Sequence, residues 1–309
     1  MSGNPPTNTK LRKRLRRYLP VYLMMLPAVL YFFINNYMPL PGLIVAFKNY
    51  NAAKGIYGSP WAGLQNFKYL FAYDAGYITR NTIGYNLAFI IVNTVLSVAV
   101  AIMLSEMVGK MKNKYQSAIL LPHLLSTVII SYLVYAFLST QHGFFNKILM
   151  TLGKDPISWY TEKKYWPFIL IFVNAWKSVG YNCIIYLATI VGFNRAYYEA
   201  AVLDGATKMQ QIRFITIPLL RGTIILLTLL TVGRIFYSDF GLFYQVPRNS
   251  GALYPVTSTI DTYVYRGLMS LGNINMSAAA SFYQSIVGFV LIMVSNFVVR
   301  KIDPESALF

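Results

Sequence analysis

Polar and apolar positions along this chain fall into long blocks, not into the short alternation of a half-buried strand or soluble core. Six apolar stretches are each long enough to cross a bilayer, whose hydrocarbon thickness of about 30 Å takes roughly 20 helical residues. The first begins near Tyr18 and runs through LPVYLMMLPAVLYFFI. The second covers about 86–104, the third about 117–139 and the fourth about 166–191. The fifth starts after Pro218 and reaches about Phe243, and the sixth covers about 276–299. Pro20 and Pro27 are compatible with a membrane helix, where neighbouring groups re-satisfy the freed backbone. No small-x-small cleavage site follows Phe32 and Phe33, so the first stretch reads as a retained span and not a signal peptide. The expected fold class is all-α: a polytopic membrane protein of six transmembrane helices.

Charge sharpens this picture. Of the 309 residues, 56% are hydrophobic and 12% charged, about half the charged share of a soluble domain, yet the net charge is +17. Such a balance fits either a nucleic-acid partner or basic loops at a membrane face. The positions decide. Lys10, Arg12, Lys13, Arg14, Arg16 and Arg17 precede the first span, and Lys110, Lys112 and Lys114 follow the second. Arg195, Lys208, Arg213 and Arg221 lie after the fourth, Arg300 and Lys301 after the sixth. These segments alternate across six spans and so share one side. That side is cytoplasmic by the positive-inside rule, with both termini inside. No basic module stands apart from the spans, so nucleic acid is not an expected partner; the lipid bilayer is. The resulting division is a basic tail over 1–17, a six-helix domain over 18–299 and a tail over 300–309. Trp61, Trp159 and Trp166 suit interface positions in the opposite, longer loops. One cysteine, Cys183, and two distant histidines, His123 and His142, give no disulfide or metal constellation. His123 reads as a packed or interhelical hydrogen-bonding residue.

The loop after the fourth span reads EAAVLDGATKMQQIRFITIP over 199–218. It resembles the EAA loop of the permease subunits of binding-protein-dependent ABC importers. Glu199, Ala200, Ala201, Asp204, Gly205 and Ala206 match its opening, and Ile215 and Pro218 its close; Ile212 stands where an aromatic residue is usual, with Phe214 nearby. EAAVL is a good helix former and Gly205 permits a sharp turn, so the loop (about 192–218) is expected to be a rigid helix–turn–helix knob. By the resemblance, Glu199, Ala200, Ala201, Asp204 and Gly205 dock into the ATP-hydrolysing partner. The GLQNF at 63–67 looks like the maltose-type carbohydrate-uptake branch, and 233–266 looks like permeases for oligosaccharides and polysaccharide fragments. The resemblance implies a type I ABC importer permease fold in the cytoplasmic (inner) membrane of a bacterium. It implies a second homologous permease, an ATP-binding subunit dimer and an extracytoplasmic sugar-binding protein. No Walker A pattern occurs, so no cofactor is expected on this chain, and ATP with its Mg belongs to the partner.

Ionisable residues inside a membrane are costly and default to functional candidates. Lys177 and Arg234 fall in the middle third of their spans, with Asp239 further out. Asn174, Ser178, Tyr181 and Asn182 share a helical face with Lys177 close by; Arg234 and Ser238 share another, with Tyr237 beside them. Ser277, Ser281, Gln284, Ser285 and Gly288 form a third stripe in the sixth span. The expected substrate path is therefore Asn174, Lys177, Ser178, Tyr181, Arg234, Tyr237, Ser238 and Asp239. These groups supply the hydrogen bonds and aromatic faces a saccharide needs, and the two cations favour one bearing carboxylates, such as a uronic or sialic acid. The structural alternative is helix–helix packing, with Lys177 or Arg234 paired to Asp239. A self-contained secondary transporter or channel would show inverted repeats or broken helices, and no repeat is visible. A membrane enzyme would need an acid/base or metal constellation, for which Asp239 with Lys177 is a weak candidate; no catalytic residue is assigned.

Overall fold

A computed structural model describes residues 7–107 and 109–302. The side chains of the basic tail to Arg17, and Asp303 and Glu305 of the C-terminal tail, lie outside what is described. Helix α1 (Thr7–Phe32) carries Pro20 and Pro27 within it and continues through a π turn (Phe33–Tyr37) and a 3₁₀ stretch (Leu40–Phe47). Then come α2 (Ala75–Glu106), α3 (Lys110–Leu124), α4 (Thr127–Leu138), α5 (Phe144–Thr151) and α6 (Trp166–Val191). Helices α7 (Ala196–Leu203) and α8 (Lys208–Gln211) form the loop after α6, and a π turn (Ile212–Thr216) leads into α9 (Ile217–Val232). The chain closes with α10 (Phe240–Gln245), α11 (Ile260–Met269) and α12 (Ile274–Ile302). Among the described residues β pairing is confined to one isolated bridge, Lys48 with Trp61.

The fourth and sixth spans stand where the hydrophobic blocks put them, while α2 begins eleven residues before Asn86. Two spans differ. The third is not one helix: α3 and α4 meet at a bend of 97°. Ser126 leaves the helical region and its hydroxyl accepts from the Ile129 amide (3.3 Å), an N-cap that restarts the helix, while Pro122 removes a donor one turn earlier. The fifth stops at Val232, so Arg234 and Asp239 lie outside any continuous helix. Gly233 ends α9, and Asp239 caps α10 by accepting from the Leu242 amide (3.1 Å). The interface reading of Trp166 is also overturned. It is fully buried, and its indole donates to the Trp159 carbonyl (2.7 Å), because it packs with Tyr85, Phe89 and Phe243 in the largest apolar cluster.

Helices α2 and α6 form the central pairing, and α3 crosses α6 at Gly180, where a Cβ would run into the carbonyl oxygen of Ile119. A second cluster (Ala101, Leu104, Cys183, Tyr186, Leu187, Leu220) joins α2, α6 and α9 at the other end of the bundle. The loops segregate by end. Lys208 pairs with Glu106 (2.8 Å) at one end. At the other, Ser250 donates to the Tyr160 carbonyl (2.9 Å), and the Tyr50 amide donates to Asn275 (2.9 Å). Every residue from 18 to 41 is exposed, so the first span offers its apolar surface to something beyond its own chain.

Candidate functional site

The loop after α6 forms the expected knob. The Asn194 side chain accepts from the Ala196 amide (3.0 Å) at its start. At the end of α7 the Ala206 amide reaches the Ala201 carbonyl (2.9 Å) and the Gly205 amide the Val202 carbonyl (3.0 Å). This is the paired closure of a Schellman turn, which needs a left-handed residue after the cap; Gly205 supplies it at φ +77°. Thr207 and Gln210 then make a reciprocal capping box that starts α8. Glu199, Ala200, Asp204 and Gly205 are exposed and Ala201 is half-buried. Around them stand large apolar side chains open to the surroundings: Val202, Leu203 (87% exposed), Met209 and Phe214. Such residues on a rigid, otherwise polar turn are what a docking surface uses. The knob meets the bundle through the solvent-exposed pair Lys208 to Glu106 and through Tyr198 to Thr216 (3.0 Å), and buried Gln211 ties it internally by donating to the Ala206 carbonyl (3.2 Å).

Between α2, α6 and α9 lies a cavity of about 240 Å³ with a mixed lining: Asn86, Asn93, Thr94, Tyr181, Asn182 and Thr231 interrupt an otherwise apolar wall that includes Phe89, Ile90, Ile185 and Leu227. Asn93 donates to Asn174 (2.9 Å), and its own amide oxygen is buried with no hydrogen-bond partner. An orphaned acceptor is costly in a dry interior and marks a place where a polar guest is welcome. Tyr181 is half open and stacks on His123 (centroids 4.5 Å apart, planes 12°), which gives the third-span histidine the packing role its position predicts.

The predicted path residues therefore separate into groups. Tyr181 faces the cavity, and Asn174 backs Asn93. Lys177 donates to Thr127 (2.7 Å), the first residue of α4, so it clamps the broken third span onto α6. A Cβ on Gly241 would lie 3.2 Å from both Thr127 and the Asp239 carboxylate, which brings α10 to the same junction. Lys177 and Asp239 make no ion pair; among the described residues the sole ion pair is Lys208 with Glu106. Ser178 is half-buried on α6 and Arg234 is exposed in the turn after α9. Tyr237 packs over Gly288, and Ser238 gives its amide and hydroxyl to Asp261 (both 2.7 Å). The helical stripe drawn through Arg234 and Ser238 does not exist, because α9 ends before them. In the sixth span Gln284 is buried and tied to the Phe236 carbonyl and Asp261, which makes it a brace for that same turn. Asn86, Asn93 and Thr94 stand in a span without formal charge and were not among the expected path residues; their i, i+7, i+8 spacing is the sequence signal for this wall. Broken helices occur in self-contained transporters as well, so the breaks do not discriminate between transporter classes.

The opposite end carries further polar groups. Arg266 is nearly buried, held by Ser258, Thr262 and Asn249 and stacked on Tyr254 (4.1 Å). Burial pulls its pKa below the ordinary arginine value while Tyr254, Tyr77 and Tyr244 oppose the shift. Tyr263 donates to Asp74 (2.8 Å), and burial together with that carboxylate raises its phenol. No group of three or more His, Cys, Asp or Glu poised for a metal occurs among the described residues.

Comparison with known proteins fits this geometry. The model of the family described as binding-protein-dependent transport system inner membrane component matches residues 70–306. Protein LplB of Bacillus subtilis is 30% identical over 294 residues, covering 94% of this chain and 92% of that protein. The polygalacturonan/rhamnogalacturonan transport system permease protein YteP of the same organism is 31% identical over 306 residues, covering 96% and 93%. A crystal structure of a bacterial ABC transporter involved in the import of the acidic polysaccharide alginate contains a chain that superposes with a TM-score of 0.86 at 30% identity, over 95% of this chain and 99% of that one. A second structure, of the bacterial alginate transporter in complex with an alginate pentasaccharide-bound periplasmic protein, matches at 0.85 and 30%, over 95% and 98%.

Proposed function

Because the chain belongs to the binding-protein-dependent transport system inner membrane component family, the multi-pass permeases of bacterial ABC importers, we propose that it forms half of the path by which an oligosaccharide or polysaccharide fragment crosses the membrane. The other half is a second homologous permease. A dimer of ATP-binding subunits, carrying ATP and Mg, docks on the Glu199–Gly205 turn, and an extracytoplasmic sugar-binding protein delivers the substrate. The knob end and both termini are cytoplasmic in this reading, which the lysine and arginine distribution supports.

The observation that carries the proposal is the exposed, Schellman-closed knob seated directly on the helices that line the cavity. Its apolar tip is free, while its base is joined to the end of α2 through Glu106 and to the start of α9 through Thr216. Movement imposed on the tip is therefore delivered to two of the three cavity walls. That is a mechanical link for alternating access: closure of the ATPases shifts α2 and α9 against α6, and the cavity opens to one side at a time. Asn93, Asn182 and Thr231 offer hydrogen bonds and Tyr181 an aromatic face, the combination a sugar uses. A relative that serves polygalacturonan/rhamnogalacturonan transport and a structural neighbour involved in alginate import favour an acidic substrate, with which Lys177 and exposed Arg234 are compatible in charge.

The test is Gly205→Val in the reconstituted transporter. A branched residue at φ +77° costs about 1–2 kcal/mol and opens the turn. Saccharide uptake is expected to fall at least about tenfold while ATP hydrolysis and membrane insertion persist. Uptake at the wild-type rate would remove the docking role from this turn.

A further inference from the structure

At the end of the bundle away from the knob, a strained turn and the cleft beside it take no part in the knob or the cavity. Arg248 and Asn249 both take left-handed backbone conformations, φ 54° and 48°, a sparsely populated region for residues with side chains. The turn holds the Arg248 guanidinium over the rings of Tyr135 (4.2 Å) and Tyr132 (5.6 Å). Arg248 is exposed and, among the described residues, has no carboxylate in ion-pair range. Opposite it, the Tyr160 hydroxyl is buried and has no hydrogen-bond partner. The two segments are fastened together, since Ser250 donates to the Tyr160 carbonyl. Burial raises the Tyr160 phenol and the charge of Arg248 works against that shift. Arg248, Tyr135, Tyr160, Ser139, Gln141 and Ser250 line one cleft of about 460 Å³.

We propose that this cleft is an outer subsite that holds one carboxylate-bearing sugar unit before it enters the membrane path. The forked donors of Arg248 take the carboxylate, and the Tyr160 and Ser139 hydroxyls take sugar hydroxyls. The proposal rests on the saccharide-import reading and adds a site to it. A concave, hydroxyl-lined cleft suits a small polyol better than a protein, whose docking needs a broad patch. Helix α4 starts at Thr127, against Lys177, and ends beside Ser139; its 12 residues span about 18 Å. Tyr132 and Tyr135 lie on its exposed side, beneath the Arg248 guanidinium.

The experiment measures binding of trigalacturonate and of neutral maltotriose to the full permease–ATPase complex in detergent, without the binding protein, by calorimetry. Arg248→Gln is expected to weaken trigalacturonate roughly tenfold or more and leave maltotriose unchanged, with Arg248→Lys restoring part of the loss. Tyr160→Phe, which removes only an unpartnered hydroxyl, is expected to weaken both ligands several-fold. Wild-type affinity for trigalacturonate in Arg248→Gln and Tyr160→Phe would overturn the subsite. So would variants that lose capture of the binding protein while keeping saccharide affinity. Saccharide uptake by the wild-type complex separates the two levels. If it occurs and Arg248→Gln changes no affinity, the subsite alone fails; if it is absent, the import reading beneath it fails.

Discussion

Lys177 shows what a single residue's position in a sequence reveals and what it hides. A cation in the middle of an apolar block was visible, and its cost in a bilayer made it a candidate. Its partner was not visible, because Thr127 lies 50 residues away and comes within 2.7 Å only when the third span breaks. Lys177→Ala is therefore expected to loosen the junction of α4, α6 and α10 as well as to alter substrate preference. Slower uptake, together with faster proteolysis or hydrogen exchange of 125–131, would check it. The orphaned Asn93 oxygen carries a sharper expectation. Asn93→Leu removes a buried unsatisfied acceptor but also the hydrogen bond to Asn174, so the stability of the detergent-solubilised protein should change by no more than about 1 kcal/mol, while uptake falls at least about tenfold. Gly180 acts through backbone approach alone. Gly180→Val must push α3 off α6, costing about 1–3 kcal/mol or more, and is expected to lower the melting temperature and assembly yield.

At the scale of elements, the apolar blocks revealed that helices exist but not where they are interrupted. A hydrophobicity window cannot see the bend at Ser126, because both arms are apolar and equally suited to lipid. The signal lay in polar detail: Pro122 followed by a serine able to cap. The fifth span concealed its end in the same way, with Gly233 as the stop and Asp239 as the next start. The misplaced stripe through Arg234 and Ser238 came from assuming continuity. Asp239→Ala should cost about 1 kcal/mol through loss of the α10 cap, and Asp239→Asn should largely restore it. Thermal unfolding of the two variants side by side distinguishes this capping role from a charge role. The knob was legible for the opposite reason. Its turn is built from local hydrogen bonds between residues close in sequence, and the Gly205 and Thr207 signals that specify them are positional.

Over the whole molecule, the alternation of loops dense and sparse in Lys and Arg predicts two groups of loops, and the Lys208–Glu106 and Ser250–Tyr160 contacts each join segments of one such group. The cavity was legible only in part. Its walls come from three helices, and the wall from α2 was overlooked because a span without charge draws no attention. The cavity coupled to the knob is the central claim, and site-directed thiol labelling tests it most directly. In a Cys183→Ala background, Asn93→Cys would put a single reactive group on the cavity wall. A membrane-impermeant thiol reagent is expected to label it from one side of the bilayer in the nucleotide-free complex. ATP-driven closure of the partner subunits should change the labelled side, bound oligosaccharide should slow the reaction, and Gly205→Val should abolish the change of side. Labelling at one rate from one side, indifferent to nucleotide, saccharide and the state of the turn, would contradict that coupling.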